Sequence, residues 1–512
     1  MHAIDLDALT LDQVLHGALD GRPVTVLGLA RSGVALARFL HDMGARVTVY
    51  DGRQASQLER FTSLLGDRSI SLVLGPDADP VPTWADAALV ATSPSITPDF
   101  PTTEPRLRAA LQALVTGRRG GDLRLPALVS ESDLFLRLCP SPTIGVTGTK
   151  GKTTTSSLAH AILSADPLHP AILGGNNGTP LVERLPELTP SHRVVVELSE
   201  LQLPALSRGT TVAVYTNVTS DHLDRHGSVE AYRRVKRRLA ELVDPDGAMV
   251  LNLEDPVVGG YAGLGSAPVV LYRNDAPVPG GLGVLDGWIV SAAVERLPIA
   301  GGGTAGTGPG GAVMPVGELG IPGRHNVSNA LAAIAVGMLF GVAPDAIRRA
   351  AGSFTGVEHR LQSVALVDGV RYVNDSQGTQ PDAVIAALRA FPAPVVLIAG
   401  GRDKGVDLAE MVRVAAGTVY GAVLIGESGP SLQERMTAAG LARTARAASM
   451  DEAVRAATAM AREARTGLAD DAVATVLMSP AAASFDMFED YVARGRAFTA
   501  AVANLAVPRG AA

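Results

Sequence analysis

One cysteine, Cys139, stands in a chain of 512 residues. A disulfide within the chain needs two, so none can form, and a zinc site built on several cysteines is excluded with it. A reducing, cytoplasmic compartment is expected. Aromatic residues are scarce at 4%, too few for the stacking platforms that grip single-stranded nucleic acid. Basic charge is not in excess. Lys and Arg number 44 against 51 Asp and Glu, a net charge of −7, so bulk charge does not hold a nucleic-acid backbone. No run of about 18 apolar residues occurs, so no membrane span is expected. The start, MHAIDLDALT, lacks a basic stretch followed by an apolar one, and no signal peptide is expected. No short-period repeat is visible.

Apolar residues are plentiful at 47%, enough for large buried cores. They recur as short strands alternating with longer helices, which predicts parallel α/β sheets. PVTVLGL (23–29), a helix over Ser32–Met43 and VTVYD (47–51) form a first β-α-β unit. Its turn, Gly28 to Gly33, has glycine at both ends but lacks the full G-x-G-x-x-G pattern, so a dinucleotide reading is weak. A second unit starts at TIGVTG (143–148), followed by strands at VVVELS and TVAVYTNV. A third starts near Gly356. The length and these units predict three domains, 1–139, 140–355 and 356–512. The stretch AGGGTAGTGPGG near 299–312 has no apolar period and reads as a flexible surface insertion.

The segment from Gly145 to Thr154, GVTGTKGKTT, lies between a strand and a helix. Its glycines let backbone N–H groups converge on phosphate oxygens, and the helix start adds a favourable dipole. Lys152 is placed to offset phosphate charge, and Thr153 to reach Mg²⁺. The usual G-x-x-x-x-G-K-[ST] pattern wants glycine at 146, where Val146 stands. The bland alternative is a plain Gly-rich turn.

T-G-T-x-G-K-T-T resembles the ATP loop of the Mur ligases and folylpolyglutamate synthetases, which join an amino acid to a carboxylate. Further motifs extend the resemblance over nearly the whole chain. It implies a three-domain Mur ligase architecture: a Rossmann-like UDP-binding domain, a central P-loop ATPase domain and a C-terminal Rossmann-like domain. ATP contacts would come from Gly148, Thr149, Lys150, Gly151, Lys152, Thr153 and Thr154. Asn326 and Asn329 of IPGRHNVSNALAA match residues that meet adenine, and Arg360 and Asp375 match nucleotide contacts from the third domain. Glu197 ends an apolar strand, where an acid can bind Mg²⁺. By resemblance, His222 of TNVTSDHLDRH is a second metal ligand and Lys236 is carbamylated. Without the resemblance, Lys236 is one cation on a solvated helix and His222 a surface or capping histidine.

Residues 1–139 provide the UDP-binding domain that folylpolyglutamate synthetases lack. GLARSG and YDGR resemble the uridine-diphosphate site of the branch that adds glutamate to UDP-N-acetylmuramoyl-L-alanine. That similarity gives Asp51, Arg53, Ser93, Asn176, Ser199 and Gln202 to the muramoyl nucleotide. Ser95, Glu200 and Leu201 depart from the branch pattern. GGRDKG supplies Lys404 for the glutamate side-chain carboxylate. LMSPAAASFDMFEDYVARG supplies Ser484, Phe485 and Tyr491, and Thr379 joins them. An ordinary helix start is the plain alternative for that segment. NDSQGTQP departs from the D-glutamate branch at Gln377 and Gln380, and a branch adding L-glutamate also carries proline at Pro381. The resemblance thus implies an ATP- and Mg²⁺-dependent ligase of peptidoglycan synthesis, with D-glutamate or, alternatively, L-glutamate as substrate. Small molecules are the only partners expected, with neither nucleic acid nor membrane, and the chain is expected to be a monomer. A regulatory P-loop NTPase is the rival from another class, although the strand ends VVVE where such proteins usually carry aspartate. A nicotinamide oxidoreductase built on residues 23–51 is a third.

Overall fold

The computed structural model describes residues 3–100, 103–220, 223–304, 306–321, 323–403, 406–469 and 472–506. These fall into two compact units, Met1–Phe354 and Thr355–Ala512. Among the described residues the strands form three sheets.

The first sheet joins β1 (Pro23–Leu27), β2 (Arg46–Asp51), β3 (Ser71–Leu74), β4 (Leu89–Thr92) and β5 (Ala127–Ser130), in the order β3-β2-β1-β4-β5. All its pairings are parallel. The helix Arg31–Asp42 buries Val34, Leu36, Phe39 and Leu40 against it, one apolar face at helical spacing. The strand order reverses between β1 and β4, so their carboxyl ends open a crevice where ligands bind in such sheets.

The same unit holds a nine-stranded sheet. Its parallel part is β6 (Thr143–Thr147), β7 (Ala171–Gly175), β8 (Arg193–Glu197), β9 (Val212–Tyr215), β10 (Ala248–Asn252) and β11 (Val269–Tyr272). β12 (Leu282–Leu285), β13 (Trp288–Ser291) and β14 (Ala312–Pro315) extend it, with β12 to β14 antiparallel. β6 lies between β8 and β9, and every residue of it is buried. The helices Lys152–Leu163 and Arg324–Leu339 cover one face. Val146, where the loop pattern wants glycine, is a fully buried strand residue paired with Glu197 and Val214. The turn is made two residues later by Gly148, whose φ is 150°.

The glycine-rich stretch is tied down rather than looped free. Gly303 bridges to Phe340 in parallel register, its N–H donating to the Leu339 carbonyl at 3.2 Å. Gly308 N–H donates to the Ala312 carbonyl at 2.9 Å, leading into β14. Glycine serves there because a Cβ on Gly303 or Gly341 would press on the other's backbone.

The second unit carries β15 (Gln362–Val367), β16 (Val370–Asn374), β17 (Val395–Gly400), β18 (Gly421–Ile425), β19 (Thr444–Ala447) and β20 (Ala474–Met478). The order is β15-β16-β20-β17-β18-β19, with only the β15–β16 pairing antiparallel. Its reversal point lies between β17 and β20. Gly401–Asp403 follow the first of those two strands and Ser479–Ser484 the second.

Candidate active site

β6 ends in the predicted phosphate loop. Thr149 N–H donates to the Asn217 carbonyl at 2.7 Å, and Lys150 N–H to Asn217 Oδ1 at 2.9 Å. Asn217 Nδ2 returns a bond to the Lys150 carbonyl at 2.9 Å. One asparagine therefore braces both edges of the loop. Lys152 Nζ folds back on the carbonyls of Gly148 (3.1 Å) and Thr149 (2.9 Å). Gly151, at φ 87°, starts the helix Lys152–Leu163. A Cβ there would lie 2.4 Å from Asn329 Oδ1, so this glycine is needed for conformation and for close approach alike. Asn329 is buried and takes Nδ2 to Asn326 Oδ1 at 3.3 Å. The structure thus gathers residues 148–154 with Asn326 and Asn329 around one helix start.

Glu197 closes β8 beside this loop and is 1% exposed. Asn176 Nδ2 donates to its Oε1 at 2.8 Å, and Ser156 Oγ lies 3.4 Å from its Oε2. Lys236 is fully buried on the helix Val229–Leu242. Its Nζ is 3.3 Å from Thr147 Oγ1 and 5.6 Å from the centre of the Tyr232 ring. This is not the solvated cation the bare helix pattern suggests. The tyrosine hydroxyl reaches Thr149 Oγ1 at 3.0 Å, coupling that helix to the phosphate loop. His222 lies outside the described residues. Among the described residues, no three His, Cys, Asp or Glu side chains gather as a metal cage.

At the carboxyl end of the first sheet, Asp51 accepts the Leu29 N–H at 2.7 Å and a two-pronged pair from Arg53 at 2.9 and 2.7 Å. Burial alone would raise this carboxyl. The bonds from Arg53 and from the backbone of Leu29 and Arg53 outweigh it and hold the group below the usual range. Ser93 Oγ donates to the Gly28 carbonyl at 3.2 Å. A Cβ on Gly178, in the loop carrying Asn176, would lie 2.7 Å from an Arg31 nitrogen. Arg31, within the GLARSG turn, thus reaches that loop from the start of the helix Arg31–Asp42. Ser199 and Gln202 are bonded to each other at 2.9 Å.

In the second unit, Asp375 directly follows β16 and accepts the Ser479 hydroxyl at 2.6 Å and the Leu361 N–H at 3.1 Å. Burial pushes its carboxyl up to about 6, and those bonds and Arg360 only partly offset that. Ala481 N–H donates to the Gly378 carbonyl at 2.9 Å, so the loops of Thr379 and Ser484 meet. Ser484 is 2% exposed, and its Oγ has no hydrogen-bond partner among the described residues. Phe485 is exposed at 46%, and the Tyr491 ring sits edge-on to His359 at 6.4 Å. Lys404 lies outside the described residues. Arg494, absent from the predicted set, is 1% exposed and ties the two loops by bonding Ser376 Oγ, the Ser376 carbonyl and the Ala482 carbonyl. Burial lowers it to about 10. Its signal was the Arg-Gly closing the segment that begins at Leu477.

The Mur ligase middle domain matches residues 146–337, and the Mur ligase glutamate ligase domain matches 359–479. The chain is 37% identical over 483 residues to the UDP-N-acetylmuramoylalanine--D-glutamate ligase of Symbiobacterium thermophilum, covering 94% of this chain and 97% of that one. Its counterpart of the same name from a Roseiflexus species is 36% identical, with 94% and 98% covered. A third, from Geotalea daltonii, is 34% identical, with 95% and 98% covered. These relatives are each more than 30% identical over at least 94% of the chain, and the chain belongs to the Mur ligase family.

Proposed function

We propose that the chain joins D-glutamate to UDP-N-acetylmuramoyl-L-alanine at the expense of ATP, in the synthesis of peptidoglycan precursors in the cytoplasm. The observation that carries the reading is the convergence at the end of β6. Loop 148–152, Glu197 and buried Lys236 meet there, beside the loop that holds Asn176. The names of the full-length relatives supply the amino acid and its hand. In this reading residues 1–139 hold the uridine diphosphate, 140–355 hold ATP and 356–512 hold glutamate.

The terminal carboxylate of the alanyl residue attacks the γ-phosphorus. An O–P bond forms and the bond to the β-bridging oxygen breaks, giving an acyl phosphate and ADP. The glutamate amine then attacks the acyl carbon, loses a proton, and phosphate departs. Lys152 turns from the Gly148 and Thr149 carbonyls toward the phosphates, where its charge stabilises the transferring group. Glu197 and Thr153 offer oxygen donors of the kind Mg²⁺ takes and would hold it here. The metal supplies neutralisation of phosphate charge when bound. In this reading His222 is a further metal ligand and Lys236 is carbamylated. Asn326 and Asn329 offer donor and acceptor to adenine, and Arg360 and Asp375 are further nucleotide contacts. Lys404, Thr379, Ser484, Phe485 and Tyr491 receive glutamate.

The test is phosphate release by the purified chain with UDP-N-acetylmuramoyl-L-alanine, ATP and Mg²⁺, adding D- or L-glutamate. Turnover with D-glutamate is expected. The NDSQGTQP loop favours a second reading, addition of L-glutamate, and turnover with that enantiomer alone would establish it. Turnover with neither rejects the substrate assignment.

A further inference from the structure

Gln202 follows Ser199 by three residues in the turn after β8. The Ser199 backbone N–H points at Gln202 Oε1 across 2.9 Å. A backbone N–H can only donate, so that amide atom must be the oxygen. The Ser199 hydroxyl is also 2.9 Å from it and therefore places its one proton there. The amide nitrogen then faces Ser132 Oγ at 3.0 Å, and Ser132 passes its own proton to Glu131 Oε2 at 3.0 Å. The other Glu131 oxygen accepts the Leu181 N–H at 3.3 Å. That backbone donor thus fixes the Gln202 amide, and with it the direction of the bonds to Ser199 and Ser132. Glu131, Ser132, Ser199 and Gln202 are each 5% exposed or less, so little water competes to reverse it.

The consequence falls on Ser199. A free serine hydroxyl offers a ligand either a proton or a lone pair. This one has its proton committed and offers lone pairs alone. We propose that the series Glu131–Ser132–Gln202 holds Ser199 Oγ as a pure acceptor, and that the group it reads is the amide N–H of the substrate's L-alanyl residue. This rests on the proposed reading that Ser199 lines the muramoyl-nucleotide site. The alanyl N–H is the substrate donor nearest the reacting carboxylate, and Ser199 stands two residues beyond Glu197, the acid at the reacting end. Gln202 acts through Ser199 and is a positioning residue.

The probe is the analogue in which L-lactate replaces L-alanine. An ester oxygen then stands where the N–H was, and the carboxylate is kept. Dissociation constants are measured for the amide, the ester and UDP alone. In the wild-type chain the ester should bind roughly 10- to 100-fold more weakly, because two acceptors face each other without a proton. In Gln202→Leu the serine hydroxyl is free to turn, and the ester-to-amide ratio should fall towards one. In Gln202→Glu both side-chain oxygens still accept, and the ratio should persist even where affinity drops. A merely structural role would weaken UDP, amide and ester together and leave the ratio unmoved in Gln202→Leu, which overturns the proposal. Equal binding of ester and amide by the wild-type chain overturns it without any variant. A folded wild-type chain that binds UDP but neither analogue rejects the substrate reading instead.

Discussion

Asn176 holds Glu197 at two points: its Nδ2 donates to Oε1 at 2.8 Å and its backbone N–H to the Glu197 carbonyl at 2.9 Å. The loop after β7 therefore sets both the position and the rotamer of the acid that ends β8. Asn176→Ala frees the carboxylate to turn. Groups that orient a metal ligand typically contribute about 10- to 100-fold in metal affinity. The Mg²⁺ concentration giving half-maximal phosphate release should rise by that factor, more than the KM for glutamate does. An unchanged Mg²⁺ dependence would show that Asn176 serves the nucleotide alone.

Lys236 is buried without remainder beside Thr147 and Tyr232. If its amine carries a carbamate, the site gains an anion, and Lys236→Ala should lose at least ~100-fold in turnover. Added acetate should restore part of it. Rescue by a small amine instead of acetate would show that the free lysine does the work.

Asp375 gives a pH signature. Burial disfavours the charge and pushes its carboxyl up to about 6 in the folded chain, above the usual carboxylate range near 4. The folded state therefore holds the proton more tightly. The stability this contributes is complete below about pH 4 and is lost as pH rises through about 6. The span corresponds to on the order of 3 kcal/mol. Asp375→Asn should remove that part of the slope of thermal stability between pH 4 and 6. An identical slope in the variant would place the titration elsewhere.

Ser484 keeps a buried hydroxyl with no partner among the described residues. Such a group is costly until a ligand meets it. Ser484→Ala should leave the melting temperature unchanged or higher while raising the KM for glutamate about tenfold. Lys404→Ala should raise that KM further, with the KM for ATP little changed, since binding of one substrate alone is lost. Equal rises in both constants would remove these residues from the glutamate site.

Much of this was legible in the residues themselves. The strand-turn-helix at 143–163, the apolar strand ending in Glu197 and the order of motifs are local patterns, because side-chain period and glycine at a turn act over a few residues. The structure adjusted ends by a residue or two, so that the helix placed at Ser32–Met43 runs Arg31–Asp42. What distant residues decide was not legible. That Gly151 must be glycine depends on Asn329, and that the stretch near 303 is tied down depends on Phe340. Arg494 bracing the Ser376 loop depends on a helix more than a hundred residues away. The bond from the Gln202 amide to Ser132 joins residues seventy positions apart. Composition and spacing carry propensity; the partner of a buried polar atom is set only when packing excludes water and leaves one geometry in which every donor finds an acceptor.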